Sequence, residues 1–348
     1  MSSPQKILVL GPAWVGDMVL AQSLFKTLKA INPNCMIDVA APAWTLPLLE
    51  RMPEVSGKIA LPFKHGELAF WQRIKFGKSL KNAGYTQSIM LTNSFKSALL
   101  PWAAGIARRT GFLGEMRYGL LNDIRPLDKT KLKKTVERFV TLGIEKNAVL
   151  PVIPQPSLEH ALEASWILAA RAGVGAPAKN STKILGLCPG AEYGSAKRWP
   201  AEYYAEVANE MLKNGWQVWL FGSDKDVPVT GEINALTQNQ CADFGGKTKL
   251  GEAIDLMALC DTIISNDSGL MHVAAALIKN NEDKKLIAIF GSSDPHHTPP
   301  MSKQAVIEYL AVDCSPCFKR ECPLTGENHL KCLKQIKPQS VIAQIIKP

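Results

Sequence analysis

Residues 6–20 read KILVLGPAWVGDMVL. Five residues rich in Ile, Leu and Val end at Gly11, and a helical pattern runs over 17–31. An apolar run stopped by glycine and followed by a 3.6-residue period is the strand–loop–helix turn that opens an α/β unit. A phosphate-cradling P-loop begins the same way, with four residues between two glycines, and then continues with Lys and Ser or Thr. Here Asp17 and Met18 follow Gly16, so a carboxylate stands where a cation would be needed. The turn predicts an α/β fold and poses the question of what Asp17 is for.

Working outward, the first half places strands at 36–41 (MIDVAA), 57–62 (GKIALP) and 87–91 (QSIML), with helical patterns between them, for example 67–82. Residues 146–158, KNAVLPVIPQPSL, hold three prolines and no helical period, which reads as a linker. The alternation then restarts: a strand in 183–190, a helix from Pro200 to about Asn214, and strands in 216–223, 261–269 and 285–293. Short β-rich runs alternating with amphipathic stretches are the signature of parallel α/β sheets. The expectation is two Rossmann-like domains facing each other across a cleft. The divisions are 1–150, a linker and start of the second domain at 151–182, and 183–348, the last helix being a candidate to return to the first domain.

The 348 residues suffice for two domains, each with its own core. Hydrophobic residues make up 46% and charged residues 20%, ordinary for a globular protein. No apolar stretch nears the roughly 18 residues of a membrane span, and no secretory leader is legible. The reading is a cytoplasmic protein. The 40 basic residues exceed the 31 acidic ones, a net charge of +9, which favours acidic partners such as nucleotides, phosphorylated lipids or an anionic membrane face. Cys35, Cys188, Cys241 and Cys260 sit in apolar contexts and read as small core residues of a reducing compartment.

In open α/β sheets ligands bind beyond the carboxyl ends of the strands, and the unusual polar motifs of this chain fall there. CPGAEYGSAKRWP (188–200) is long for a strand–helix loop. Gly190 and Gly194 let the backbone approach a ligand, and Lys197 is placed to neutralise a phosphate; the plainer reading is a connection with a solvated lysine. In SNDSGLMHVAAAL (265–277) a helix starts near Ser268 and Gly269, offering unpaired amides and the positive end of its dipole to a diphosphate. Asp267 and Ser268 read equally as caps, and His272 by itself as a satisfied histidine on the inner helix face. Within FGSDKD (221–226), Asp224 and Asp226 are both candidates for ribose hydroxyls. With no Walker lysine and no GxGxxG, this half reads as a nucleotide-diphosphate binder outside nicotinamide and P-loop chemistry. In the first half, Asp17 lies at a helix start, where the dipole favours an ionised carboxylate that can accept a proton; a plain helix-initiating Asp fits the same place. Lys96, in NSFKSAL (93–99), and Arg109 and Arg117, in RRTGFLGEMRYGLLND (108–123), either grip an anionic acceptor or are solvated charges.

Taken in order from residue 7 to about 300, the segments GPAWVGDMVLAQSL, APAW, NSFKSALLP, RTGFLGEMRYGLLND, CPGAEYGSAKRWP, FGSDKD and NDSGLMHVAAAL resemble the heptosyltransferases of lipopolysaccharide core assembly, most closely their type II branch. These are GT-B glycosyltransferases, so the resemblance implies two facing Rossmann-like domains with an interdomain cleft. It implies an inverting transfer of L-glycero-D-manno-heptose from ADP-heptose to heptosyl-Kdo2-lipid A, with type I or III specificity as the alternative. It makes Asp17 the general base, Lys197 the partner of the leaving diphosphate and Asp267 a contact of the donor heptose. Ser268, Gly269 and Leu270 would offer amides to the phosphates, Asp224 would reach the ribose, and Thr248 would lie near adenine. Gly190, Tyr193, Gly222, Ser223 and His272 complete the implied donor site; Trp14, Asn93, Lys96, Arg109 and Arg117 form the acceptor side. No cofactor or metal is implied, and no carboxylate cluster marks a Mg²⁺ site. A lipid acceptor places the enzyme peripherally at the inner membrane of a Gram-negative bacterium. FWQRIKFGKSLKN (70–82), with Arg73, Lys75, Lys78 and Lys81 among Phe70, Trp71, Ile74 and Leu80, reads as a helix for anionic lipid or as a core-facing helix with a basic outer face. KTKLKK (129–134) is equally two-sided.

The tail CSPCFKRECPLTGENHLKC (314–332) spaces Cys314, Cys317, Cys322 and Cys332 as C-x2-C-x4-C-x9-C. Its second half departs from zinc spacing, leaving a structural Zn²⁺, a disulfide or free thiols as readings. Two other functions fit parts of the sequence: a sugar-nucleotide epimerase on the same architecture, and a nucleic-acid binder, for which only the charge speaks.

Overall fold

The computed structural model describes residues 5–64, 66–161, 183–278 and 283–346. The chain divides into two compact units, Met1–Pro156 and Ser157–Pro348, inside the proline-bearing stretch 146–158. Residues 162–182, expected to lead into the second domain, lie outside the described residues.

The first unit runs β1 (Lys6–Leu10), α1 (Val15–Ile31), β2 (Met36–Ala41), α2 (Leu46–Leu49), β3 (Gly57–Ala60), α3 (Phe70–Ser79), β4 (Gln87–Met90), α4 (Phe95–Ala103), β5 (Arg108–Phe112), β6 (Asp123–Arg125) and α5 (Thr135–Thr141). Its sheet has the order β3-β2-β1-β4-β5-β6, and every neighbouring pair is parallel. β1 is central, with Ile7 beside Ile37 and Gln87, and Val9 beside Val39 and Ile89. A central parallel strand is covered on both faces, which is why KILVL is continuously apolar rather than alternating. α1 buries Met18, Ala21, Leu24, Phe25 and Leu28 at helical spacing. A Cβ on Gly11 would lie 2.7 Å from Met18 Cε and 3.2 Å from Val39 Cγ1, so α1 packs closely over the end of β1.

The second unit repeats the plan: β7 (Ile184–Cys188), α6 (Ala201–Lys213), β8 (Gln217–Leu220), α7 (Val227–Leu236), β9 (Ala242–Asp243), α8 (Leu250–Met257), β10 (Thr262–Asn266), α9 (Gly269–Leu277), β11 (Lys285–Ile289), β12 (Ala305–Glu308), α10 (Lys331–Lys334) and α11 (Pro338–Ile346). The all-parallel order β12-β11-β10-β7-β8-β9 is the same doubly wound arrangement. Leu185, Leu187, Val218, Leu220, Ile264 and Ile287 form its core with Trp199, Tyr204, Val207 and Met211. The last helix, α11, packs on α6 and adds Val341 and Ile345 to that core.

In both sheets the winding reverses beside the first strand, between β1 and β4 and between β7 and β10, which opens a crevice at their carboxyl ends. The expected α/β class and parallel sheets are observed. β5, β6, β9 and β12 are not expected from the sequence, being short or bearing charged residues, and β5 and β6 lie within 108–125. No helix among the described residues is long and apolar enough to cross a membrane.

Candidate active site

At the β7/β10 crevice the loop 189–199 is fastened to the end of β10 by one side chain. The buried Asn266 accepts hydrogen bonds at Oδ1 from the Trp199 backbone N–H (3.0 Å) and from the Tyr204 hydroxyl (3.0 Å), and its Nδ2 donates to the Pro189 carbonyl (2.7 Å). Trp199 is itself buried, with its indole N–H on the Ile336 carbonyl at 3.0 Å. The loop thereby holds Lys197 Nζ 2.5 Å from Asp267 Oδ2. Ser293, following β11, donates to the same carboxylate oxygen at 2.5 Å. Lys197 also lies 5.0 Å from the centroid of the Tyr193 ring.

Beside this pair, α9 begins at Gly269, with Ser268 in an extended N-cap conformation that makes no side-chain cap bond. Ser268, Gly269 and Leu270 are half-exposed, so the first amides of the helix face an accessible crevice. On the loop, on α9 and after β11 respectively, Arg198 Nε, His272 Nδ1 and Ser292 Oγ are buried without a hydrogen-bond partner. Buried orphans are costly unless something satisfies them, and a polar ligand in the crevice would do so. Burial, with Lys197 reinforcing it and Asp267 opposing it, pushes the His272 imidazole down to about 4, so the ring is neutral near pH 7.

The two ribose candidates separate. Asp226 is bound up locally: its Oδ2 accepts from the Ser223 N–H (2.9 Å) and hydroxyl (2.8 Å), closing a capping box on the single 3-10 turn Asp224–Asp226 that leads into α7. Only Asp224 is exposed. Gly190 and Gly222 press against Asp226, since a Cβ on them would lie 2.3 Å from its Cγ and 2.6 Å from its Cβ, respectively. Thr248 is half-buried just ahead of α8. Tyr193, Lys197, Asp267 and the start of α9 thus stand together at the carboxyl edge of the second sheet, and Ser223, Asp224 and Thr248 follow its neighbouring strands. Asn266, Arg198, Ser292 and Ser293 were missed; the signal for Asn266 and the two serines is small polar residues at or just beyond the ends of β10 and β11, and Arg198 carries none beyond its place next to Lys197.

At the β1/β4 crevice, Asp17 is the third residue of α1, half-buried in the first turn. Trp14 is the exposed N-cap, and the preceding loop is pinned by the Trp44 indole N–H donating to the Ala13 carbonyl at 2.9 Å. Asn93 is exposed after β4, and Lys96 is half-buried in the first turn of α4. A cation there opposes the helix dipole, a cost that a bound anion reverses. A cavity of about 550 Å³ opens beside Asn93 at the carboxyl ends of β5 and β6.

Two acceptor-side residues are corrected. Arg117 is fully buried: its guanidinium donates to the carbonyls of Thr92 (2.8 Å), Leu113 (3.1 Å) and Phe112, and to the Ser97 hydroxyl and Asn93 Oδ1. It braces the loops after β4 and β5, and desolvation lowers its pKa to about 10. Arg109 sits near the amino end of β5, at the edge of the sheet opposite Asp17, donating to the carbonyls of Leu120 (2.6 Å) and Ile106 (2.7 Å).

Cys314, Cys317, Cys322 and Cys332 are free thiols, and no group of three or more His, Cys, Asp or Glu among the described residues stands ready to hold a metal. The Cys314, Cys317 and Cys322 side chains all bear on the Cys332 thiol, which burial pushes up to about 11. The segment also backs the donor loop: the Tyr193 hydroxyl donates to the Phe318 carbonyl (2.8 Å) and the Ala196 N–H to the Arg320 carbonyl (3.0 Å). The other four cysteines are buried, as expected. A second cavity, about 710 Å³, lies between α6 and α11, where Glu202, Glu206 and Glu210 would repel a phosphate.

Residues 73–327 match glycosyltransferase family 9 (heptosyltransferase). The lipopolysaccharide heptosyltransferase 2 of Salmonella typhimurium is 44% identical over 346 residues, 98% of this chain and 97% of that protein. The lipooligosaccharide heptosyltransferase 2 of Haemophilus ducreyi is 45% identical over 349 residues, 98% of each chain. The solved structure of the Escherichia coli ADP-heptose LPS heptosyltransferase II matches with a TM-score of 0.84 and 41% identity, covering 98% of this chain and 97% of that one. With two parallel six-stranded sheets and relatives matched along nearly its whole length, the chain belongs to glycosyltransferase family 9, the heptosyltransferases.

Proposed function

We propose that this heptosyltransferase moves L-glycero-D-manno-heptose from ADP-heptose onto the first heptose of heptosyl-Kdo2-lipid A, with inversion at the anomeric carbon. The second unit takes the donor. Lys197 and the leading amides of α9 meet the diphosphate, Asp267 faces the heptose, and Asp224 and Thr248 serve the nucleoside. The first unit presents Asp17 as general base, with Trp14, Asn93 and Lys96 beside the acceptor. In a single displacement the acceptor oxygen attacks C1, its proton passes to the Asp17 carboxylate, and the C1–O bond electrons leave with ADP. One base and no covalent nucleophile suffice for inversion. The leaving charge is met by Lys197 and backbone amides, so the reading calls for neither a metal nor a cofactor. Because the acceptor is a lipid, the reaction belongs at the cytoplasmic face of the inner membrane of a Gram-negative bacterium.

The observation that carries this reading is Lys197 held on Asp267 beside the open amino end of α9, with buried polar atoms that lack partners on the loop, on α9 and after β11. The type 2 names of the relatives support the choice of acceptor. The test is transfer from ADP-heptose to lipid A cores bearing zero, one or two heptoses. Transfer onto the one-heptose core is expected; exclusive use of the heptose-free core would assign type I specificity instead.

A further inference from the structure

The segment leading into α3 carries apolar side chains on the outside of the first unit. Trp71 is 79% exposed, Leu68 53% and Phe70 36%, and the rings of Phe70 and Trp71 meet edge to face at 5.1 Å. The inner face of α3 is already occupied. Arg73, Ile74 and Gly77 are buried, and Gly77 lies so close to α4 that a Cβ on it would be 2.4 Å from the Leu100 carbonyl oxygen. Arg73, expected on the basic outer face, is therefore a core residue. Its Nε donates to the Leu68 carbonyl (2.8 Å) and its Nη2 to the Glu67 carbonyl (3.3 Å), with the guanidinium 4.1 Å from the Phe63 ring centroid. Ala69 takes a left-handed conformation at φ 44°. A buried arginine and an uncommon backbone conformation thus fix the turn so that three large apolar side chains point into solvent, where folding alone gives no reason to keep them.

From Leu68 onward the charges along α3 are all basic, with the exposed Glu67 directly before them. Trp71, Lys75 and Lys78 recur at i, i+4 and i+7 along the outer face, with Lys64 and Lys81 exposed on either side. No acidic residue occurs between 68 and 82. The tip also lies at the functional edge of the sheet. It follows the carboxyl end of β3, as Trp14, Trp44 and Phe95, all exposed, follow β1, β2 and β4.

We propose that Leu68, Phe70 and Trp71, flanked by Lys64, Lys75 and Lys78, form the surface by which the enzyme docks on an anionic lipid bilayer. The aromatic pair enters the headgroup layer, where ring faces and polar edges are both accommodated, and the lysines rest on anionic headgroups. This rests on the lipid acceptor proposed above and adds where the bilayer is met.

The test uses the full chain and two readouts. Co-sedimentation is measured with phosphatidylethanolamine–phosphatidylglycerol vesicles and with neutral phosphatidylcholine vesicles, and transfer is measured on an acceptor freed of its acyl chains. The wild type is expected to sediment with the anionic vesicles in a salt-sensitive way. Leu68→Ser with Trp71→Ser should lower vesicle partitioning at least tenfold, and Lys75→Glu with Lys78→Glu should remove the preference for anionic lipid. Trp71→Phe should retain binding, and all variants should transfer to the deacylated acceptor at the wild-type rate. Variants that sediment like wild type, or a wild type that ignores anionic vesicles, would overturn the proposal. So would light scattering showing that Trp71→Ser only splits a dimer. Failure of transfer on every acceptor, with vesicle binding intact, would instead count against the reaction reading.

Discussion

His272 shows how one buried residue reports on the site around it. Its ring is enclosed next to Asp267 and Lys197, and burial lowers its pKa to about 4 from the ordinary 6.5. The unfolded chain therefore takes up a proton at higher pH than the folded one. The stability contributed above pH 6.5 is lost as pH falls toward 4, on the order of 3 kcal/mol if unopposed. The melting temperature should fall between pH 7 and pH 5, and His272→Gln should flatten that fall, as a thermal-shift series would show; equal slopes in both proteins would remove His272 as the source. Residue types predict such fates poorly. Arginine at 117 reads as a grip for an anionic acceptor or as a solvated charge, yet five acceptors on the segments 92–97 and 112–113 enclose it. Asp224 and Asp226 are alike in sequence, but only the position of the helix start shows that one is a cap.

Among the elements, the loop after β7 is set by contacts at both ends. Asn266 ties it to β10, the 318–320 backbone supports Tyr193 and Ala196, and Gly190 lies against the Asp226 cap. Gly190→Ala would place a Cβ 2.3 Å from the Asp226 carboxylate carbon, so either the cap or the loop must move. Overpacking of this kind costs about 1–3 kcal/mol. Calorimetry should show ADP-heptose binding weakened about tenfold or more, with a lowered melting temperature; wild-type affinity would mean that the loop does not position Lys197. Elements were legible where pattern and burial agree. The strands β1 and β7 are near-continuous apolar runs and β2 and β10 are almost wholly buried, and the sequence places all four within a few residues of their observed bounds. β5 begins with two arginines, β9 has two residues and β12 is a half-exposed edge strand, so none shows the central-strand pattern. α3 was legible as a helix, but which of its cations turned inward was decided by α4 and Phe63.

At the scale of the whole molecule, two units of one topology carry opposite charges at equivalent places. The first strand of the second unit leads into a loop that bears Lys197, whereas the first strand of the first unit leads into Asp17. In the proposed reaction the same strand–loop–helix turn would serve phosphate binding in one unit and proton removal in the other. The division at 156/157 falls within the proline-bearing stretch 146–158, legible in the sequence as a linker, six residues beyond the expected end of the first domain, whereas the shared strand order emerges only from the pairing of the strands. The convergence of Asn266, Ser293 and Lys197 on one carboxylate neighbourhood is not visible there, because contacts between distant strand ends exist only once the sheet is formed.

The central claim is that Asp17 removes the acceptor proton while the other unit holds the donor. Its most direct test is Asp17→Asn, compared with wild type for turnover and for ADP-heptose affinity by titration calorimetry. Turnover should fall about 10²–10⁴-fold, the usual worth of a general base, with donor affinity within about twofold of wild type. Wild-type turnover, or a loss of donor affinity as large as the loss of rate, would contradict the account.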